Sequence, residues 1–291
     1  MAKKSSKLLF WRHRKPVVPV VRLHGTIGAV TPLRPGLTLQ QINPVLEKAF
    51  SFGKARAVAV SVNSPGGSPV QSALIYHRIR QLAASEKKQV LVFTEDVAAS
   101  GGYMLAIAGD EIYADPSSII GSIGVVSSGF GFVDAIKKLG IERRVHTAGE
   151  NKSILDPFTP EKKADVDRLK QMQLEVHDHF KDMVRERRGA KLEESDKDLF
   201  SGAFWSGVKA RDLGLVDGLG NMHTVLREKF GDEVMLKTIS GPRKGLLSRM
   251  IPGGTEERHG GIPDLNGLRS GLADDLVSSL EARAVWSRYG L

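Results

Sequence analysis

No cysteine occurs among the 291 residues. Disulfides, a thiolate nucleophile, zinc–thiolate sites and iron–sulfur clusters are therefore excluded. Long apolar runs are missing too. The longest uncharged stretch in the middle of the chain, Pro116 to Val133, spans 18 residues, and its five serines and four glycines argue against a spanning helix. A secretory leader needs about seven apolar residues after its basic start. Here Leu8, Leu9, Phe10 and Trp11 run directly into Arg12, so neither a signal peptide nor a transmembrane helix is expected.

Acid is absent from residues 1–15, where Lys3, Lys4, Lys7, Arg12, Arg14 and Lys15 supply six of the net +9 charges and leave +3 for the rest. The excess is a local tail and not a basic face, which argues against nucleic acid as a partner. Such a tail is either a solvated arm or, with Phe10 and Trp11 at the interface, an attachment to an anionic membrane surface.

The remaining composition, 41% hydrophobic and 26% charged, is that of a soluble globular protein. Residues 16–240 read as one α/β unit. Strands are expected at Val17–Leu23, Ala55–Val62, Gln89–Thr94, Glu111–Ala114, Ile119–Val126 and Arg143–Thr147. Helices are expected at Leu37–Phe52, Pro69–Ala84, from Ala99-Ser100-Gly101-Gly102 to Ala108, at Phe132–Leu139 and at Met222–Phe230. A long helix to Arg188 is expected to start at a Thr159 cap with Pro160 in its first turn, burying one stripe through Val166, Leu169, Met172, Val176, Phe180 and Val184. Strands alternating with helices imply parallel pairing. From Gly241 to Gly267, seven glycines and three prolines in 27 residues make residues 241–269 a flexible linker. An amphipathic helix over 270–291 follows.

Two glycine turns close two expected buried strands: Ser64-Pro65-Gly66-Gly67 and Ala99-Ser100-Gly101-Gly102. Each permits close backbone approach and frees N–H groups toward a ligand, and each alone also reads as a plain turn. Neither has the spacing of a phosphate loop or a dinucleotide fingerprint. Ser100, at a helix start, suits a nucleophile whose product is an oxyanion, and it suits an N-cap equally well. A serine nucleophile needs a base. No histidine lies between Ser100 and His146. His177 and His179, two apart on a helix, face different ways and form neither a metal pair nor a dyad. A desolvated lysine can serve instead, and Lys152, in Gly149-Glu150-Asn151-Lys152-Ser153, lies between a glycine turn and an apolar run.

Taken in order, Ser-Pro-Gly-Gly, Ala-Ser-Gly-Gly-Tyr103, Gly121-Ser122-Ile123-Gly124-Val125, Gly-Glu-Asn-Lys-Ser with Asp156-Pro157-Phe158, and Gly214-Leu215-Val216-Asp217 with Gly220 resemble the signal peptide peptidase A family, the S49 serine peptidases. The resemblance covers about residues 17–232 and extends to Clp peptidase and the crotonases through their glycine turns. It implies a crotonase-like ββα spiral, Ser100 as nucleophile, Lys152 as general base and Ser122 as the hydroxyl holding the lysine amine. Gly66, Gly67 and Gly101 fall at the implied oxyanion hole. A homo-oligomeric ring that completes the dyad between subunits is implied, acting on signal peptides or other apolar peptides without metal or cofactor. With no signal peptide and no transmembrane helix expected, the location expected is cytoplasmic or peripheral at the inner membrane. Two other readings remain open at this point. One is an acyl-CoA hydratase or isomerase using Glu95, Asp96 or Glu150, and the other is an inactive scaffold of a membrane complex.

Overall fold

The computed structural model describes residues 15–28, 36–53, 55–193, 196–241, 284 and 286–290. The basic tail, the glycine-rich linker beyond residue 241 and most of the expected C-terminal helix lie outside the described residues.

The chain alternates strand and helix as its hydrophobic periodicity requires. The strands are β1 (Val17–His24), β2 (Ala57–Ser64), β3 (Gln89–Ala99), β4 (Glu111–Ala114), β5 (Ile119–Gly121), β6 (Phe204–Ser206), β7 (Gly218–Leu219) and β8 (Met235–Thr238). The helices are α1 (Leu39–Phe50), α2 (Pro69–Glu86), α3 (Gly101–Ala106), α4 (Val133–Lys138), α5 (Lys163–Arg188), α6 (Asp196–Leu199), α7 (Gly207–Asp212) and α8 (Met222–Phe230). They form a mixed α/β structure around one sheet of order β6-β5-β3-β2-β1-β8, with β4 paired to β3 and β7 to β4. Every pairing is parallel except β5 with β6.

The central strands are apolar on both faces because both are covered. Val58, Val60 and Val62 of β2 face a core shared with Leu46, Phe50, Ile75 and Ile79 of α1 and α2. Ala57 and Ala59, pointing the other way, pack in a second cluster with Val225 and Leu226 of α8. Helix starts carry their chemistry: Thr38 accepts from the Gln41 N–H ahead of α1, and Ser68 from the Gln71 N–H with Pro69 in the first turn of α2.

β3 is the strand that matters for function. Leu91–Thr94 pair with β4, and Val97–Ala99 pair with β5. Between them the register against β2 jumps from Val62↔Thr94 to Ser64↔Ala98, which inserts Glu95 and Asp96 as a bulge. The bulge is pinned at several points. Ser61 Oγ donates to Glu95 Oε1 (2.5 Å), Asn63 Nδ2 to Asp96 Oδ2 (2.7 Å) and Ser118 Oγ to the Glu95 carbonyl (2.6 Å). Bulges re-aim the strand that carries them, and this one aims the end of β3 at residue 100.

Several expectations need correction. The strand expected over Ile119–Val126 stops at Gly121, because Gly121 (φ +114°) and Ser122 (φ +53°) leave the extended region. Residues 141–147 are irregular and exposed, not a strand. The α5 helix begins at Lys163 with Lys162 in the cap position. Thr159 is drawn instead into the turn at Asp156, its N–H and Oγ1 both donating to the Asp156 carbonyl. The stripe expected along α5 is buried only from Phe180 onward, and Met172 is 56% exposed.

Candidate active site

Ser100 occupies the single residue between β3 and α3, at φ +53° and ψ −124°. An L-residue with a side chain rarely sits there, and such a conformation costs on the order of 1–3 kcal/mol unless its surroundings impose it. They do. The Ser100 N–H donates to the Gly121 carbonyl (2.8 Å) and its carbonyl accepts from Met104 (3.1 Å), while α3 behind it is buried throughout. The side chain makes no capping hydrogen bond, so this is not an ordinary N-cap serine.

The Ser-Pro-Gly-Gly turn lies against that junction. A β-carbon on Gly66 (φ +102°) would stand 2.9 Å from the Gly101 nitrogen, and one on Gly101 would stand 3.4 Å from the Gly67 nitrogen. The two turns therefore touch backbone to backbone. The Gly66 N–H is engaged by Ser64 Oγ at 3.2 Å. Those of Gly67 and Gly101 have no hydrogen-bond partner among the described residues. Gly67 and Gly101 line one hollow together with Ser100.

A cavity of about 610 Å³ opens over these groups, with Ser100, Gly67, Ser122 and His177 in its wall. Ser122, 8% exposed, takes a second positive φ and donates its N–H to the Ala203 carbonyl (2.6 Å). A smaller, mostly apolar hollow extends from Ser100 between Met104, Val125, Val176 and Phe180. Glu95 and Asp96, held in the β3 bulge, line neither space, and Glu150 lies on an exposed turn. The carboxylates expected of a hydratase are thus not at this site.

Lys152 is elsewhere. It sits exposed in a turn and is not among the residues lining the Ser100 cavity. From Gly124 to His179 no residue is buried, so this stretch is an arm with no core of its own. Its internal contacts gather at the Asp-Pro-Phe motif. Phe132 and Phe158 stack at 5.5 Å, Arg143 lies 4.9 Å over Phe158, and Arg143 Nε donates to Asp156 Oδ2 (2.7 Å). Asp156 also accepts from the Phe158 N–H, and these two bonds hold its carboxyl below the usual range.

The Gly-Leu-Val-Asp motif is an anchor. Asp217 accepts from Arg188 (2.7 Å), Lys191 (2.5 Å) and the Ile112 N–H (2.8 Å). Burial pushes its carboxyl up, but the hydrogen bonds from Lys191 and Arg188 outweigh this and hold it below the ordinary range. Tyr103 Oη, fully buried behind Ser100, donates to the Leu215 carbonyl (2.8 Å). The end of α5 and the helix behind the serine are thereby tied to one segment.

Two contributors escaped the sequence reading. His177, dismissed there, lines the cavity and bonds the Ile123 carbonyl through Nε2 (3.1 Å). It shares a helical face with Phe180 and Val184 at i+3 and i+7, which was a usable signal. Arg288 and Tyr289 also reach the cavity wall, and no local pattern announces that.

The model of peptidase family S49 matches residues 83–233, just over half of the chain, including Ser100, Ser122 and Lys152. A putative protease of Synechocystis is 30% identical over 239 residues, covering 79% of this chain and 82% of its own. The chain belongs to peptidase family S49. A relative in Enterococcus faecium, described as a putative signal peptide peptidase, is 29% identical over 242 residues, 81% of this chain and 67% of its own. A Brucella melitensis protein described as a Na(+)/H(+) antiporter is 57% identical over 276 residues, 94% of this chain but 37% of its own. The chain thus spans little more than a third of that relative. Among the described residues no helix is long and apolar enough to cross a membrane.

Proposed function

We propose that this chain is a serine endopeptidase in which Ser100 is the nucleophile and Lys152 the general base, with the dyad completed between subunits of a homo-oligomer. The observation that carries the reading is Ser100, held at φ +53° beside the unpartnered N–H groups of Gly67 and Gly101. In the proposed reaction the neutral Lys152 amine takes the proton of Ser100 Oγ as that oxygen attacks a peptide carbonyl. The two N–H groups stabilise the tetrahedral oxyanion, a donor of this kind being worth ~10²–10³ in rate. The lysine then protonates the departing amine, water hydrolyses the acyl-enzyme, and Ser122 orients the lysine.

The shape of the single protomer supports the intersubunit arrangement. An arm without buried residues, carrying Phe130 at 79% and Leu139 at 73% exposure, has apolar surface to cover, and Lys152 rides on it. The apolar hollow bounded by Met104, Val176 and Phe180 favours a small apolar residue at the cleavage site. Signal peptides fit that requirement, as does the name of the Enterococcus relative. A membrane-surface role for residues 1–15 and a cytoplasmic or inner-membrane-peripheral location complete the proposal.

Mass spectrometry after a fluorophosphonate probe tests it. Wild type is expected to carry the label on Ser100, and Lys152→Ala to lose it. An unlabelled wild-type serine would contradict the reading and favour the inactive scaffold.

A further inference from the structure

Three hollows around Ser100 share wall residues, and no carboxylate lines any of them. The Ser100 cavity has Ser100 itself in common with the apolar hollow at Met104. It has Val125 and His177 in common with a further groove of about 270 Å³, bounded by Lys170, Gln173 and Leu174. Arg288, His177 and Lys170 stand in these walls, without an aspartate or glutamate among them. The groove runs along α5, where Lys170, Gln173 and His177 recur at i, i+3 and i+7 and so share one face. His177 Nε2 is engaged by the Ile123 carbonyl at 3.1 Å, which holds the ring at the passage from cavity to groove. Lys170 is exposed and has no ion pair, and the Gln173 amide has no hydrogen bond, among the described residues. Of the acids on the same helix, Glu175 accepts from Gln171 Nε2 (3.3 Å), Asp178 pairs with Lys181 (2.5 Å), and none lines the groove.

We propose that Lys170 and Gln173 form a subsite for a carboxylate of the bound peptide, reached from Ser100 past Val125 and His177. The proposal rests on the peptidase reading, since it extends the Ser100 cleft, and it narrows the substrate class to apolar peptides with an acidic group on one flank. An ammonium and an amide N–H donor three residues apart on one helical face can both donate to the oxygens of a single carboxylate. The bond to Lys170 is charge-assisted, and the cleft holds no like charge to repel an incoming acid. A basic flank meets the reverse. Helix rise places Lys170 about 10 Å beyond His177, and an extended peptide advances about 3.3 Å per residue. The carboxylate therefore belongs about three residues beyond the residue seated at His177. An acidic side chain supplies it, or the free C-terminus of a short peptide.

Fluorescence polarisation tests this on the full-length chain carrying Ser100→Ala, so that no peptide is turned over. The probes are short alanine–leucine–serine peptides with blocked ends and an uncharged fluorophore, each bearing one glutamate or one glutamine at a position scanned along the peptide. At the matching position glutamate is expected to bind about threefold more tightly than glutamine, the yield of one exposed ion pair, and the difference is expected to shrink in high salt. Lys170→Gln is expected to remove the preference. Lys170→Glu is expected to reverse it in favour of a lysine-bearing peptide, which a merely structural lysine would not do. A second arm compares free-acid with amidated C-termini on peptides without glutamate. A gain confined to the free acid and lost in Lys170→Gln supports the subsite and assigns it to the peptide's end. Equal binding of acidic and neutral peptides throughout, a preference that survives in Lys170→Gln, or no peptide bound at all overturns the proposal. Because binding is read without catalysis, a Ser100 that takes no fluorophosphonate label defeats the peptidase reading and leaves this comparison to decide the subsite. A labelled Ser100 with no carboxylate preference defeats this inference alone.

Discussion

A β-carbon on Gly66 would lie 2.8 Å from the β-carbon of Ser100 and 2.9 Å from the Gly101 nitrogen. No rotamer change relieves such contacts, because they involve atoms fixed to the backbone, and Gly66 is also at positive φ. Gly66→Ala is therefore expected to push the two turns apart while the rest of the sheet stands. Fluorophosphonate labelling of Ser100 is expected to fall by about 10²-fold, the usual consequence of misplacing a reacting group by an ångström. Circular dichroism should report a folded protein. Labelling at the wild-type rate would mean that the turns are not in register with the nucleophile.

Ser100 itself stores strain. Replacing it with glycine removes the penalty of a side chain at φ +53°, and glycine's greater freedom in the unfolded chain offsets part of the gain. Ser100→Gly is expected to abolish turnover yet raise stability by about 1 kcal/mol, whereas Ser100→Ala gains nothing comparable. Thermal melts of the three proteins decide it.

Asp217 links stability to pH. A carboxyl held below its ordinary range contributes stability that is fully present above the unfolded pKa and is lost as pH falls through the folded one. Stability is accordingly expected to decline below about pH 4. Asp217→Asn should flatten that decline and cost about 3 kcal/mol at neutral pH, because Arg188 keeps its charge at 3% side-chain exposure with its carboxylate partner gone. Urea melts at pH 3 and pH 7 measure both effects.

The exposed arm yields a different signature. Phe130 and Leu139 contribute little burial within a protomer, so Phe130→Ser with Leu139→Ser is expected to leave the protomer folded. Sedimentation should nevertheless show smaller particles, and peptide cleavage should fall at least about tenfold, since losing buried apolar contacts dissociates an interface. Unchanged assembly would show that the arm faces solvent.

Much of this was legible where one residue's environment is set by its neighbours in the chain. The continuous burial of β2, the Ser68-Pro69 helix start and the glycine pairs beside Ser100 all stand in the sequence as they stand in the fold. Other features depend on distant partners. The Glu95–Asp96 bulge exists because Ser61, Asn63 and Ser118 hold it. Thr159 is drawn away from the helix start into a turn at Asp156, and β8 escapes notice because it is a short, mostly exposed edge strand paired only to β1. The order of motifs singles out Lys152 as a candidate base, while its position on an arm outside the protomer's core is visible only in the burial pattern.

The claim on which the account turns is that serine and lysine come from different subunits, and mixing two dead variants tests it most directly. Ser100→Ala and Lys152→Ala proteins are unfolded together, refolded as mixed assemblies and assayed on a peptide. Random pairing in a closed ring predicts recovery to about one quarter of wild-type activity, since each working interface needs a serine from one variant and a lysine from the other. A mixture that assembles yet remains as inactive as either variant alone would contradict it.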